Sequence, residues 1–157
     1  MAVHLDYSVA AVKELGVSTQ TVSCEVRANE LAAFAGCGVR TNLIAYGRLP
    51  VMVTPNCLLK ASAGRCTCTT PGQMADTHGG VWPVTKHFGC RNTVWGSRKL
   101  WLGDVTNEWM NAGLWAVRLN FSTESPRECL EVANSYIAGT GYRPNGMTRG
   151  LYYRGVL

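Results

Sequence analysis

The chain has 157 residues, 46% of them hydrophobic and 16% charged, a balance that excludes intrinsic disorder and suits one folded core. Its formal net charge of +5 is too modest to define a nucleic-acid binder by itself. The opening MAVHLDYSVAAVKELG lacks the basic start and long apolar run of a secretory signal, and no apolar run reaches the ~20 residues a bilayer requires. The expectation is a cytoplasmic protein without membrane contact, in which thiols stay reduced.

Val9, Val12 and Leu15 recur at helical spacing ahead of Gly16, which predicts a helix over 8–15. Residues 18–26 are β-branched and short and read as a strand. Residues 27–35, rich in Ala, Leu and Glu, read as a helix closed by Gly36 and Gly38, and 41–46 as the next strand. Strand and helix alternating through short links predict parallel β/α units. Residues 47–96 then interrupt the pattern. Pro50, Pro55 and Pro71 with Gly64 and Gly72 make 46–73 mostly loop, with 49–54 able to extend the strand. Residues 74–86 read as a hairpin turning at His78-Gly79-Gly80, and Pro83 puts its second strand on a sheet edge. Residues 92–95 read as a short strand. Beyond Gly96 the α/β pattern resumes with a helix over 104–111, ended by Gly113, and a strand over 115–121. A last helix opens at Ser125-Pro126, with Glu128 in its first turn, and runs to about Ala138. Residues 139–157 read as Gly- and Arg-rich loop. With no repeat and no long linker, 1–157 reads as a single α/β domain carrying a cysteine-bearing insertion over 47–96.

That insertion holds Cys57, Cys66, Cys68 and Cys90, spaced C-x8-C-x-C-x21-C. Without a secretory signal, such a cluster reads first as a metal or redox site. Structural zinc usually takes paired C-x2-4-C knuckles, which this chain lacks. Widely parted thiolates suit an iron–sulfur cluster, whose iron atoms are separate targets. Zinc, a disulfide and plain reduced thiols stay open. Cys24, Cys37 and Cys129 sit among small and apolar residues and read as packing. His78 and His87 are candidates for a ligand or for the base to a thiolate, or are simply turn and surface residues. No P-loop, H-E-x-x-H, G-x-S-x-G or dinucleotide fingerprint occurs.

Glu25 falls at the C-terminal end of the first predicted parallel strand, where β/α folds place active residues. Tyr46 and Arg48 fall at the corresponding end of the next, and Arg118 and Asn120 along the third. An acid, a phenol and an arginine converging there would make a pocket for an anionic or planar ligand. The alternative is that Glu25 caps the following helix. Arg143, Arg149 and Arg154 follow the last acid, Glu131, as a weak basic patch that suits RNA or is a solvated tail. Trp82 and Trp95 are candidates for base stacking or for core and rim.

The segments YGRLPVMVTPNC, GRC and ADTHGGVWPVTKHFGCRNTVWGSRKL resemble peptidase family U-32, the collagenase-like proteins. SCEVRANEL, AGLWAVRLNFSTESPRECLEVANSYI and TRGLYYRGV are similar to that family's flanking segments, so the likeness covers nearly the whole chain in order. The resemblance implies a partial TIM-type β/α barrel with an inserted Cys-bearing loop and β-hairpin. It also implies a 4Fe–4S cluster on Cys57, Cys66 and Cys90, with Cys68 as the fourth ligand. Members are implicated in hydroxylating RNA bases or the ubiquinone ring, some with prephenate as the implied oxygen source. On that reading Arg48, Arg91 and Arg118 hold an anion, and Glu25 or Tyr46 handles protons. The family's older label implies the alternative of a collagenase-like peptidase, acting through a pair such as Cys90 and His87.

Two departures matter. The segment after the second family cysteine is shorter here, which opens a cluster on three thiolates. The chain also matches only the later part of the family's barrel. Three barrel strands are legible, near Val22, Ile44 and Val117, whereas a closed barrel takes about 200–250 residues. The expectation is a chain that needs the missing barrel part or a partner chain, or a non-catalytic subunit that completes another chain's barrel.

Overall fold

The computed structural model describes residues 10–11, 13–65, 72–87 and 89–156. The strands are β1 (Thr19–Thr21), β2 (Arg40–Gly47), β3 (Pro50–Thr54), β4 (Gly72–Ala75), β5 (Val81–His87), β6 (Arg91–Trp95), β7 (Leu100–Trp101) and β8 (Ala116–Leu119). The helices are α1 (Leu31–Ala35), α2 (Leu58–Ala63), α3 (Thr106–Asn111) and α4 (Pro126–Ala138). The helix expected over 8–15 lies partly outside the described residues; 10–11 and 13–14 are helical. The chain forms two compact units. One runs to Gly47 and resumes at Leu100; the other, Arg48–Lys99, interrupts it.

In the first unit β2 is the central strand. β1 and β8 both run parallel to it, and because Thr21 and Ala116 both partner Asn42 they lie on opposite edges. Thr41, Leu43 and Ala45 alternate into the interior, as a strand with one buried face requires. A bulge between Ile44 and Tyr46 then breaks the alternation, so Ala45, Tyr46 and Gly47 are buried in succession. β7 joins antiparallel at this end, pairing Tyr46 with Trp101 and Gly47 with Leu100. The first turn of α4 is set by local chemistry. Ser125 accepts the Glu128 N–H at 3.3 Å, Pro126 starts the helix, and Gly139 ends it in the left-handed conformation. Val132 of α4 packs with Tyr46 and Trp101. Tyr136 donates its hydroxyl proton to Ala45 O at 2.7 Å and accepts Leu102 N–H at 3.2 Å.

In the second unit four strands form an antiparallel sheet in the order β3-β6-β5-β4. Val84 and Val94 on one face form its core with Leu59 of α2. Gly72 pairs with Val84, and a Cβ there would overlap the Leu59 side chain, so glycine is what lets helix and sheet close on each other. The β4–β5 turn is tied by Asp76, whose carboxylate accepts the N–H groups of His78, Gly80 and the Trp82 ring, each at 2.8 Å. Those bonds, the Trp82 one foremost, hold its carboxyl below the usual range.

The expectation of a TIM-type barrel is overturned. The protein is a mixed α/β fold in which the antiparallel sheet of the second unit and the antiparallel β7 outweigh the parallel β1–β2–β8 strip, and no barrel closes among the described residues. Alternating strands and helices fixed the parallel neighbours but carry no signal for closure. Two smaller expectations also fail. Part of the supposed loop over 46–73 is the helix α2. β5 is an inner strand, not an edge. Its ladder to β6 begins at Val84–Val94, so the missing N–H of Pro83 falls where only β4 is paired. No helix among the described residues is long and apolar enough to cross a membrane.

Candidate functional site

The four residues expected to be catalytic fall on different elements of the fold. β1 ends at Thr21, and Glu25 lies in the turn beyond it, its N–H bonded to Ser23 Oγ at 3.3 Å. Arg118 is exposed and reaches across β2 to Thr21 Oγ1 at 3.0 Å. Arg48 belongs to the second unit, where its Nη1 donates to Gly96 O at 2.6 Å.

Tyr46 is fully buried, and its hydroxyl meets Glu124 Oε1 at 3.3 Å and Glu128 Oε1 at 3.5 Å. Tyr142 donates to the same Glu128 oxygen at 3.2 Å. Ser122 and Thr123 N–H groups hold the other Glu124 oxygen at 2.7 and 2.9 Å. Burial first, and then the two carboxylates, push the Tyr46 phenol far above its ordinary range. At neutral pH the phenol therefore keeps its proton and donates it in a hydrogen bond. Nothing in the sequence marks Glu124, Glu128 or Tyr142 as partners of Tyr46. The visible signal was two acids four apart around the Ser125 cap.

The thiols belong to the second unit. Cys57 is the N-cap of α2, and its Sγ accepts Lys60 N–H at 3.3 Å. Asn92 of β6, fully buried, accepts the Leu58 N–H through Oδ1 at 2.7 Å. That bond ties the Cys57–Leu58 backbone to the beginning of β6, two residues beyond Cys90. Thr54–Asn92 pairing fixes the same end of the sheet, so Cys57 and Cys90 are brought to it from separate parts of the chain. Cys57 is half-buried and Cys90 exposed. Cys66 and Cys68 lie outside the described residues, and among the described ones no group of three or more His, Cys, Asp or Glu could hold a metal ion. Thiols delivered to one sheet end are donors of the kind an iron–sulfur cluster takes.

Several of the remaining candidates have structural partners. Trp95 Nε1 donates to Thr85 Oγ1 at 2.7 Å, and that oxygen lies 3.0 Å from His87 Nε2. His78 Nδ1 lies 3.3 Å from Thr77 Oγ1 in the β4–β5 turn. Gln20 Nε2 donates to Cys37 Sγ at 3.2 Å, and burial raises the Cys24 thiol above its ordinary value. In the basic tail, Arg149 pairs with Asp104 at 2.7 Å and Arg143 with the same oxygen at 3.8 Å. Tyr153 bonds Glu108 at 2.7 Å and Arg149 at 3.0 Å. These contacts dock the tail on the 103–111 segment. No protein-family model, curated protein or solved structure matches the chain.

Proposed function

We propose that this chain is an iron–sulfur protein of the hydroxylase kind, similar to peptidase family U-32, that adds one oxygen atom to an RNA base or a small ring substrate. One observation supports the reading beyond the resemblance: the buried Asn92 carboxamide ties Leu58 to β6, so the Cys57 and Cys90 thiols approach one end of a single antiparallel sheet. Cys66 and Cys68 would complete the ligand set. When bound, the cluster would supply redox or substrate-binding chemistry. Arg91, next to Cys90 in the chain, would hold an anionic group. Thiolate ligation needs a reducing compartment, which makes the cytoplasm the expected location. The experiment is to incubate the anaerobically reconstituted protein with RNA and with ring substrates, each together with prephenate as the oxygen donor that the resemblance implies, and to weigh the products. The expected product gains the mass of one oxygen atom. Cleavage of a collagen-like peptide with no oxygenated product would overturn the reading in favour of a peptidase.

A second reading has its own observation. β8 pairs only with β2 among the described residues, and α4 exposes Leu130 and Ile137, one stripe two turns apart. Such features favour a subunit that extends another chain and has no chemistry of its own. Protein that binds no iron and sediments only as an associated species would support this reading.

A further inference from the structure

The charge of the chain is unevenly shared. The second unit, Arg48–Lys99, holds seven of the 15 Lys and Arg but one of the 10 acids, Asp76. The rest of the chain has eight basic and nine acidic residues, so the net charge of +5 comes from this unit alone. The Asp76 carboxylate is spent on three N–H groups of its own turn. Lys60, Arg65, Lys86, Arg91 and Arg98 are exposed and form no ion pair among the described residues. Cations that repel one another and meet no carboxylate favour a polyanionic partner.

One face of the sheet adds a second feature. Val84 and Val94 turn toward Leu59, so Thr85, His87, Arg91 and Trp95, at the alternate positions of β5 and β6, share the opposite face. His87 and Arg91 are cross-strand partners and both are exposed. The half-buried Trp95 is fixed by its bond to Thr85 Oγ1 at 2.7 Å. Its ring meets the His87 ring edge-on, with centroids 6.4 Å apart. Bases of a single strand stack on such held rings while a neighbouring guanidinium takes a phosphate.

We propose that this face of the second unit is a platform for single-stranded RNA, with Trp95 and His87 stacking bases and Arg91 holding a phosphate. The choice of RNA over a small ring substrate rests on the hydroxylase reading, but the binding itself needs no iron. It places the basic surface on the sheet and not in the C-terminal tail, where Arg143 and Arg149 are taken by Asp104.

The test is the fluorescence anisotropy of a labelled RNA of about 12 nucleotides with the full chain as purified, over a range of salt. Arg91→Glu removes one phosphate contact. It should bind about fivefold more weakly near 0.1 M salt and lower the salt slope by about 0.7. Trp95→Leu keeps an apolar body without the ring system and should bind about tenfold more weakly with an unchanged slope. Arg127→Glu is the control: it makes the same charge change in the first unit, on a side chain 89% exposed, and should bind as the wild type does. A duplex of the same sequence, its bases stacked on one another, should bind more weakly than the single strand. Equal binding of strand and duplex, or equal losses in Arg91→Glu and Arg127→Glu, overturn the platform, as does capture of anionic-lipid vesicles but not of RNA. A DNA strand bound more tightly than the RNA overturns the choice of RNA. RNA that binds as expected yet gains no oxygen leaves the platform standing and removes the hydroxylase reading.

Discussion

Gly47→Ala is expected to destabilise the first unit by about 3 kcal/mol or more, combining left-handed backbone strain with overpacking. Gly47 closes β2 at a φ of 120°, a region that L side chains rarely adopt. A Cβ there would also overlap the backbone oxygen of Asn120. Backbone cannot swing aside as a side-chain tip can. Moving Asn120 would disturb its N–H bond to Tyr46 O at 2.9 Å, which joins β8 to β2. Gly146 is the control: its φ is 61° and a Cβ there would meet nothing within 4 Å, so Gly146→Ala should cost only about 1 kcal/mol. Urea unfolding reads both as midpoint shifts at constant slope. Equal shifts for the two variants would show that the close approach to Asn120 is not what requires glycine after Tyr46.

Leu59→Ala should lower the stability of the second unit by about 3 kcal/mol, within the range for a buried leucine, and, on the iron–sulfur proposal, cut iron loading several-fold. α2 has only six residues, too few to persist by its own hydrogen bonds. It is held by Leu59, 9% exposed, against Val84 and Val94. Cys57 caps this helix, so freeing α2 from the sheet frees a thiol from the site. Lys60→Ala, on the exposed side of the same helix, should leave stability and iron loading unchanged. A Leu59→Ala chain that unfolds earlier yet loads iron fully would separate helix docking from ligand placement.

What could be read from the sequence was local. Ser125, Pro126 and Gly139 bound α4 where their chemistry requires, and the β-branched runs marked the strands that pair in parallel around Asn42. Other features became visible only through tertiary contacts. α2 was hidden between Pro55 and Gly64, which read as loop, because its stability comes from Leu59 on the sheet. Glu25 was placed at a strand end that the chain reaches four residues earlier, at Thr21. The partnership of Tyr46 with Glu124 joins positions 78 apart, beyond any periodicity, and the bulge that precedes Tyr46 has no glycine or proline to announce it. The late arginines read as an unopposed basic tail because Asp104, which binds Arg143 and Arg149, lies far upstream. Asn92 is one polar letter in a strand until β3 pairs with β6 and brings Leu58 to it.

The most direct measurement is the iron and acid-labile sulfide content of the full chain after anaerobic reconstitution, beside the Cys57→Ser, Cys90→Ser double variant. The 4Fe–4S cluster proposed for the thiols at one sheet end predicts about four irons and four sulfides per wild-type chain and close to none in the variant. Equal iron in the two proteins, or none in either, would contradict it.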